Sequence, residues 1–216
     1  MYIGEPRDRR SGNLENLDQT LFLALNASAT SPVALVALAT FLSGWAIPVV
    51  LGWMVVFWIR RGDAERVALL DATVAALIAL GLAQIIAVTW YHPRPAELGL
   101  GHQLLVHGKE TSFPSDHAAL LFGLSIPLIA HRITRSWGFV VFAIAGSVAW
   151  SRVYLGVHFP LDMLGALGVA IVGGGVTAAL PVHLKRSLYG LGFDTYDWIV
   201  LRLKLPEQIF PRSKRR

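Results

Sequence analysis

An all-α, integral membrane helical bundle of five transmembrane helices, preceded by an amphipathic N-terminal segment, is the fold class this sequence predicts. Three observations predict it. Of 216 residues, 54% are hydrophobic and only 15% charged, against about 25% charged in soluble domains. The apolar residues gather into long stretches with Gly and Ala scattered through them, as in packed membrane helices rather than strands. The charges gather in the connectors between those stretches. One compact unit is expected over residues 17–184, between a polar tail (1–16) and a basic tail (185–216).

The first sixteen residues are polar, and no short apolar core precedes a small-residue cleavage site, so no secretory leader is expected. Residues 17–27 (LDQTLFLALNA) have amphipathic spacing, 28–32 break it, and 33–42 are too short to span alone. Laid along the interface, these pieces leave five spans; joined as one kinked span, they make six. Five is the reading adopted, because six would put Asn26, Ser28, Thr30, Ser31 and Pro32 at mid-membrane.

The spans then cover residues 45–59, 67–90, 118–130, 137–149 and 163–182. Several are nearer 15 residues than the ~20 of a full crossing, so their polar flanks lie at the interface. Small residues crowd 165–175, which lets neighbouring backbones approach closely. The tail mixes Trp198, Ile199, Leu201, Leu203 and Phe210 with basic residues. It reads as a segment on anionic lipid, with a partly disordered tail as the alternative.

The net charge of +5 follows topology rather than a nucleic-acid surface. Arg60, Arg61, Arg66, Arg132, Arg135, Lys185, Arg186 and the terminal Lys214, Arg215 and Arg216 fall on one side, which the positive-inside rule makes cytoplasmic. Residues 91–113 and 151–161 fall on the other, with Arg94, Lys109 and Arg152 as their basic residues. Chemistry in these two loops therefore faces outward. The absence of cysteine excludes disulfides, thiol catalysis and Cys-based metal sites.

Three outward clusters carry chemistry: Tyr91-His92-Pro93-Arg94-Pro95, Phe113-Pro114-Ser115-Asp116-His117, and the passage from Ser151 to Asp162. Arg94 and Arg152 supply forks for phosphate oxygens. Ser115 adds a hydroxyl, and the helix start after Pro114 adds a dipole end suited to an anion. His117 and His158 provide a proton donor and a nucleophile. If a helix starts at Pro160, Asp162 lies in its first turn and can reach back to the His158 ring.

Taken singly, each residue has a plainer reading. An Arg at a helix end is usually an interfacial anchor, a loop His is usually just polar, and Ser115 would be an N-cap. Asp116 reads first as a helix-start carboxylate favoured by the dipole, and second as a group tuning His117. Together they read differently, since four fixed residue types in the third cluster arise by chance roughly once in 10⁵ starting positions. A metal site fits poorly. His92, His102, His107, His117 and His158 are all outward, but none are paired at i, i+4, and only Glu97 and Glu110 stand near the first three. A lipid transporter would carry charges at mid-span, whereas the spans here hold almost none and Asp71 lies near a cytoplasmic end.

These clusters resemble the three-part signature of the type 2 phosphatidic acid phosphatase superfamily: K-x6-R-P, P-S-G-H and S-R-x5-H-x3-D. The third part matches at Ser151, Arg152, His158 and Asp162. The second matches at Pro114, Ser115 and His117, with Asp116 for Gly. The first matches at Arg94 and Pro95, but Ala87 stands at the Lys position, for which Lys109 is the candidate replacement. The resemblance covers residues 67–182, and the run from Pro93 through His117 looks most like the bacitracin-resistance-type undecaprenyl-diphosphatase branch. That branch tends to begin with a short amphipathic segment, in keeping with five spans.

The resemblance implies a phosphohistidine at His158, oriented by Asp162. It implies His117 as the acid for the leaving phosphate and then the activator of water, and Arg94, Ser115 and Arg152 as phosphate ligands. It implies no metal and no cofactor. The protein it describes is a multi-pass enzyme of the bacterial inner membrane, cleaving undecaprenyl diphosphate to the monophosphate at the outer face for cell-envelope synthesis. A phosphatase for phosphatidic acid, phosphatidylglycerol phosphate or lipid A is the alternative within the family, and a non-hydrolytic lipid transporter the alternative outside it.

Overall fold

Seven α-helices appear in the computed structural model, which describes residues 9–106, 108 and 110–213. They are α1 (Arg9–Leu25), α2 (Val33–Arg60), α3 (Asp63–Thr89), α4 (Asp116–Ala130), α5 (Arg135–Tyr154), α6 (Pro160–Ala179) and α7 (Val182–Arg202), with a 3₁₀ turn at Pro95–Leu98. Helices α2, α3, α5 and α6 are each long and apolar enough to cross a membrane. The fifth, α4, has 15 residues and about 22 Å of rise, so its ends sit inside the interface rather than beyond it. Four helices of spanning length, the shorter apolar α4 and a separate N-terminal helix are thus the arrangement found, where five spans were expected.

The small residues explain how the spans pack. Helix α3 buries Ala68, Ala72, Ala75, Ala76, Ala79 and Ala83, which recur every three or four positions on one face. A Cβ on Gly123 of α4 would lie 2.8 Å from Ala76 Cα, and one on Gly173 of α6 would lie 2.5 Å from the Ala75 carbonyl oxygen. Only backbones without side chains come this close, and contact of this kind replaces the hydrophobic drive that a bilayer does not supply.

Several boundaries depart from expectation: α5 continues to Tyr154, so Ser151 and Arg152 are helical rather than in a loop, and α6 ends at Ala179 rather than at 182. Residues 33–42 belong neither to a kinked first span nor to the interface; they are the first turns of α2, which runs unbroken through Ser43 and Gly44 to Arg60. Ser43 and Gly44 lie outside the expected first span of 45–59. In the fold Ser43 is buried and accepts a hydrogen bond from Arg152 Nη1 at 3.0 Å, so its polarity is satisfied within the bundle.

Helix α1 has two faces. Leu14, Leu17, Leu21 and Leu25 are exposed along one, while Phe22 and Asp18 are buried on the other. The Phe22 ring meets Phe159 edge-on with centroids 5.2 Å apart. An interfacial helix should look like this, leucines toward lipid and two anchors toward protein.

The basic end is tied together by buried polar groups. Asp71 of α3 accepts from His131 Nε2 at 2.7 Å, from Lys185 Nζ at 3.1 Å and from the Tyr189 hydroxyl. Arg66 donates to the Trp58 and Pro211 carbonyls at 3.0 and 2.8 Å. The C-terminal region is helical from Val182 to Arg202, with Tyr189, Phe193 and Val200 buried, and Trp58 packs on Phe193 at 5.4 Å. The three sequence clusters lie at the opposite end.

Candidate active site

The loop from α3 to α4 is closed on itself before it reaches the site. His92 N–H donates to Thr111 Oγ1 at 2.9 Å, and Ser112 N–H donates to the His92 carbonyl at 2.8 Å. Between them, Arg94 N–H donates to Glu97 Oε1 at 3.1 Å across the 3₁₀ turn. After the cis Phe113–Pro114 bond, α4 starts at Asp116. Lys109 and His107 lie outside the described residues.

The other side of the site is the turn between α5 and α6. Gly156 has φ +76°, and a Cβ there would sit 2.2 Å from the His102 carbonyl oxygen. That left-handed residue turns the chain, and Val157 N–H returns to the Arg152 carbonyl at 3.0 Å. His158 is thereby carried inward, and Pro160 starts α6 with Asp162 in its first turn, as the spacing predicts.

His158 Nδ1 lies 2.9 Å from the Ser112 carbonyl oxygen and 3.2 Å from Asp162 Oδ2. Both are acceptors, so the proton belongs on Nδ1 and the Nε2 atom carries the lone pair. Nε2 is 3.4 Å from Arg94 Nη1. Burial pushes the imidazole pKa down, against the pull of Asp162, so the ring is neutral near pH 7. A neutral, oriented imidazole with its deprotonated nitrogen turned to the Arg94 guanidinium has the form a nitrogen nucleophile requires.

Arg94 is held by backbone carbonyls. Nε donates to Glu110 at 2.9 Å, Nη1 to Val157 at 3.0 Å and Nη2 to Thr111 at 3.2 Å. Burial also lowers its pKa, but from a value so high that the charge stays. Arg94, Arg152, His117 and His158 line one cavity of about 450 Å³, together with Glu110, Thr111, Pro114 and Asp116 and, from α3, Gln84, Ala87 and Val88. Asp162 stands behind His158 with no exposed surface. Ser115 is not among the lining residues; its hydroxyl is buried and makes no hydrogen bond among the described residues. The cavity meets the N-terminus of α4, where backbone N–H groups favour an anion.

Sequence reasoning missed four contributors. Ser112 supplies a carbonyl to His158 and a hydroxyl to Asp162 Oδ2 at 2.5 Å. Ser43 holds Arg152, and Gln84 Nε2 donates to both oxygens of Asp116 at 3.0 Å. Asp18 of α1 accepts the Leu161 N–H at 2.9 Å, capping the helix that carries Asp162. Only Gln84, a polar residue in an apolar span one turn before Ala87, offers a signal in the sequence. Among the described residues, no three His, Asp or Glu side chains form a group able to hold a metal ion.

Two guanidinium groups and two imidazoles around one cavity are groups suited to phosphate oxygens and to proton transfer. Comparison with known proteins agrees with that chemistry. The model of the PAP2 superfamily matches residues 68–186. The chain is 36% identical over 161 residues to the Escherichia coli K12 protein named putative undecaprenyl-diphosphatase YbjG, covering 74% of this chain and 80% of that one. It is 27% identical to undecaprenyl-diphosphatase BcrC of Bacillus subtilis 168, over 87% of this chain and 95% of that one. The crystal structure of Aquifex aeolicus LpxE superposes with a TM-score of 0.60 at 25% identity, covering 76% of this chain and 96% of LpxE.

Proposed function

From the premise that this chain belongs to the PAP2 superfamily and is a multi-pass membrane phosphatase, we propose that it hydrolyses undecaprenyl diphosphate to undecaprenyl phosphate through a phosphohistidine. The observation that carries the proposal is the His158 ring, with Nδ1 committed to Ser112 and Asp162 and Nε2 on the cavity side, 3.4 Å from Arg94 Nη1. Nε2 attacks the terminal phosphorus, the bond to the bridging oxygen breaks, and His117 gives that oxygen its proton. His117 then takes a proton from water, whose oxygen attacks the phosphohistidine and frees inorganic phosphate. Arg94 and Arg152 hold the transferred oxygens as charge builds on them.

The walls of the cavity support a lipid leaving group. In an in-line displacement the leaving oxygen departs on the side away from His158, where its acid must stand. A second groove shares His117 and Arg152 with the cavity but not His158, and continues along α2 past Thr40, Phe41, Gly44 and Trp45. That is a path for a prenyl chain into the bilayer. The relatives named undecaprenyl-diphosphatase favour this lipid among phosphorylated lipids. Arg60, Arg61, Arg135 and Lys185 at the opposite end favour a site on the outer face of a bacterial inner membrane.

Phosphate release by the purified protein from undecaprenyl diphosphate, phosphatidic acid and phosphatidylglycerol phosphate, side by side, tests the substrate. The diphosphate should be preferred at least tenfold in kcat/KM; preference for either glycerolipid overturns the assignment. Acid-labile labelling of the wild type, absent in His158→Ala, tests the intermediate.

A further inference from the structure

Behind His158, one carboxylate oxygen has no donor. Asp162 Oδ2 receives Ser112 Oγ at 2.5 Å, Phe159 N–H at 2.8 Å and His158 Nδ1 at 3.2 Å. Asp162 Oδ1 receives none among the described residues, although the side chain is fully buried. An orphaned buried oxygen costs free energy and leaves the carboxylate free to rotate off its other partners. Facing it at 4.0 Å is Nδ1 of His92, itself buried and without a hydrogen bond.

His92 is built into the frame of the site. Its backbone bonds to Thr111 and Ser112, and Ser112 is the residue that delivers both a carbonyl to His158 and a hydroxyl to Asp162. Its ring is boxed by Phe159, Trp90 and Phe113, with centroids 5.8, 6.0 and 6.5 Å away. Asp18 and Glu15 of α1 share with it a cleft of about 320 Å³. Asp18 feels the charge of both His92 and Asp162. Arg94, two residues on, directs its guanidinium to loop carbonyls and to His158 instead.

The geometry points to His92 as a positioning residue whose Nδ1–H donates to Asp162 Oδ1, so that Oδ2 stays on His158. From 4.0 Å, about 1 Å of ring movement reaches hydrogen-bond distance. The role rests on the reading of His158 as nucleophile. It extends the His158–Asp162 pair by one residue from the first sequence cluster, and ties that cluster to the third by a side-chain hydrogen bond. Without the donor, Asp162 has one compensating hydrogen bond fewer and holds a proton on His158 more firmly. The acid limb of activity against pH then moves upward.

Asn and Gln separate this role from packing, because an Asn amide overlays Nδ1 and a Gln amide overlays Nε2. His92→Asn, His92→Gln and His92→Phe in the full-length protein are assayed for hydrolysis of undecaprenyl diphosphate across pH 5–9, with melting temperature in detergent alongside. His92→Asn should keep kcat within about threefold, while Gln and Phe lose ~10- to 100-fold in kcat with KM unchanged and shift the acid limb upward. Gln or Phe variants as active as Asn, or a loss confined to KM, overturn the inference. So does a drop in kcat for all three that tracks melting temperature. His158→Ala run in parallel keeps the two readings apart. If it retains turnover, both fall; if it is dead while His92→Phe is active with an unmoved pH profile, only the role of His92 falls.

Discussion

The carbonyl oxygen of Ser112 is closer to His158 Nδ1, at 2.9 Å, than is the carboxylate of Asp162, at 3.2 Å. The histidine is thus held by a shared, two-acceptor contact, and the Ser112 hydroxyl closes the triangle on Asp162. A backbone carbonyl and a carboxylate differ in one respect that matters here. Only the carboxylate can follow the ring's charge as Nε2 bonds to phosphorus, because the imidazole becomes cationic on attack.

Asp162→Asn therefore removes charge stabilisation while the Ser112 carbonyl keeps the tautomer. We expect kcat to fall ~10²- to 10⁴-fold with little change in KM. Ser112→Ala leaves both acceptors in place, loses one hydrogen bond to Asp162, and should cost about tenfold. Steady-state kinetics on the two variants check the order; equal losses would mean that the carboxylate acts only as a tether.

The apolar helices and the residues that line the cavity were legible in the sequence for a simple reason. Arg94, His117, Arg152, His158 and Asp162 are polar groups at the ends of apolar runs, and their identity alone announces chemistry. The frame that holds them was not. Ser112 works through its carbonyl, which every residue possesses, and Asp18 lies 143 positions from its partner Leu161. Ser43 carries no signal of its role either, because the sequence does not show that Arg152 comes to meet it. Contacts made by backbone atoms or across the whole chain leave no local pattern to read.

Asp18 makes the docking of α1 depend on pH. Burial raises its carboxyl to about 6 from 3.8, opposed by the Leu161 N–H and reinforced by nearby Asp162. The folded state thus holds a proton that the unfolded state has released. Stability is full below about pH 4, falls as pH rises through 6, and then levels off. Asp18→Asn keeps an acceptor for Leu161 without the charge. The difference in melting temperature between this variant and the wild type should be near zero at pH 4 and grow in favour of Asn up to pH 7. A constant difference across that range would remove Asp18 from the account.

Gly156 tests whether the turn before His158 has any slack. Alanine there meets two costs, a φ of +76° and a Cβ 2.2 Å from the His102 carbonyl. The carbonyl belongs to backbone, and Asn26 Nδ2 already donates to it at 3.0 Å, so it does not yield easily. Gly156→Ala should lower the melting temperature by several degrees and cut activity more than tenfold. Gly146→Ala, in open space on α5, should leave both unchanged or raise stability slightly.

Arg94 and Arg152 look equivalent as phosphate forks but are held differently, and lysine at each position should separate them. Arg94 binds three carbonyls, those of Glu110, Thr111 and Val157, and so stitches the α3–α4 loop to the α5–α6 turn with a rigid fan of donors. An ammonium cannot reach three directions in one plane. Arg94→Lys leaves buried carbonyls without partners, so both stability and activity should fall, the latter by ~10³-fold. Arg152 rises from the end of α5 and donates to the Ser43 hydroxyl at 3.0 Å. Lysine there can still place a charge in the cavity but not a fork. Its loss should appear mainly as weaker binding of orthovanadate, about tenfold or more, with a smaller drop in melting temperature than for Arg94→Lys. Ser43→Ala should weaken vanadate inhibition about threefold by freeing the Arg152 head, since a single hydrogen bond between membrane helices contributes about 0.6 kcal/mol. If Arg152→Lys is instead the less stable of the two, the division between a structural and a purely ligand-binding arginine is wrong.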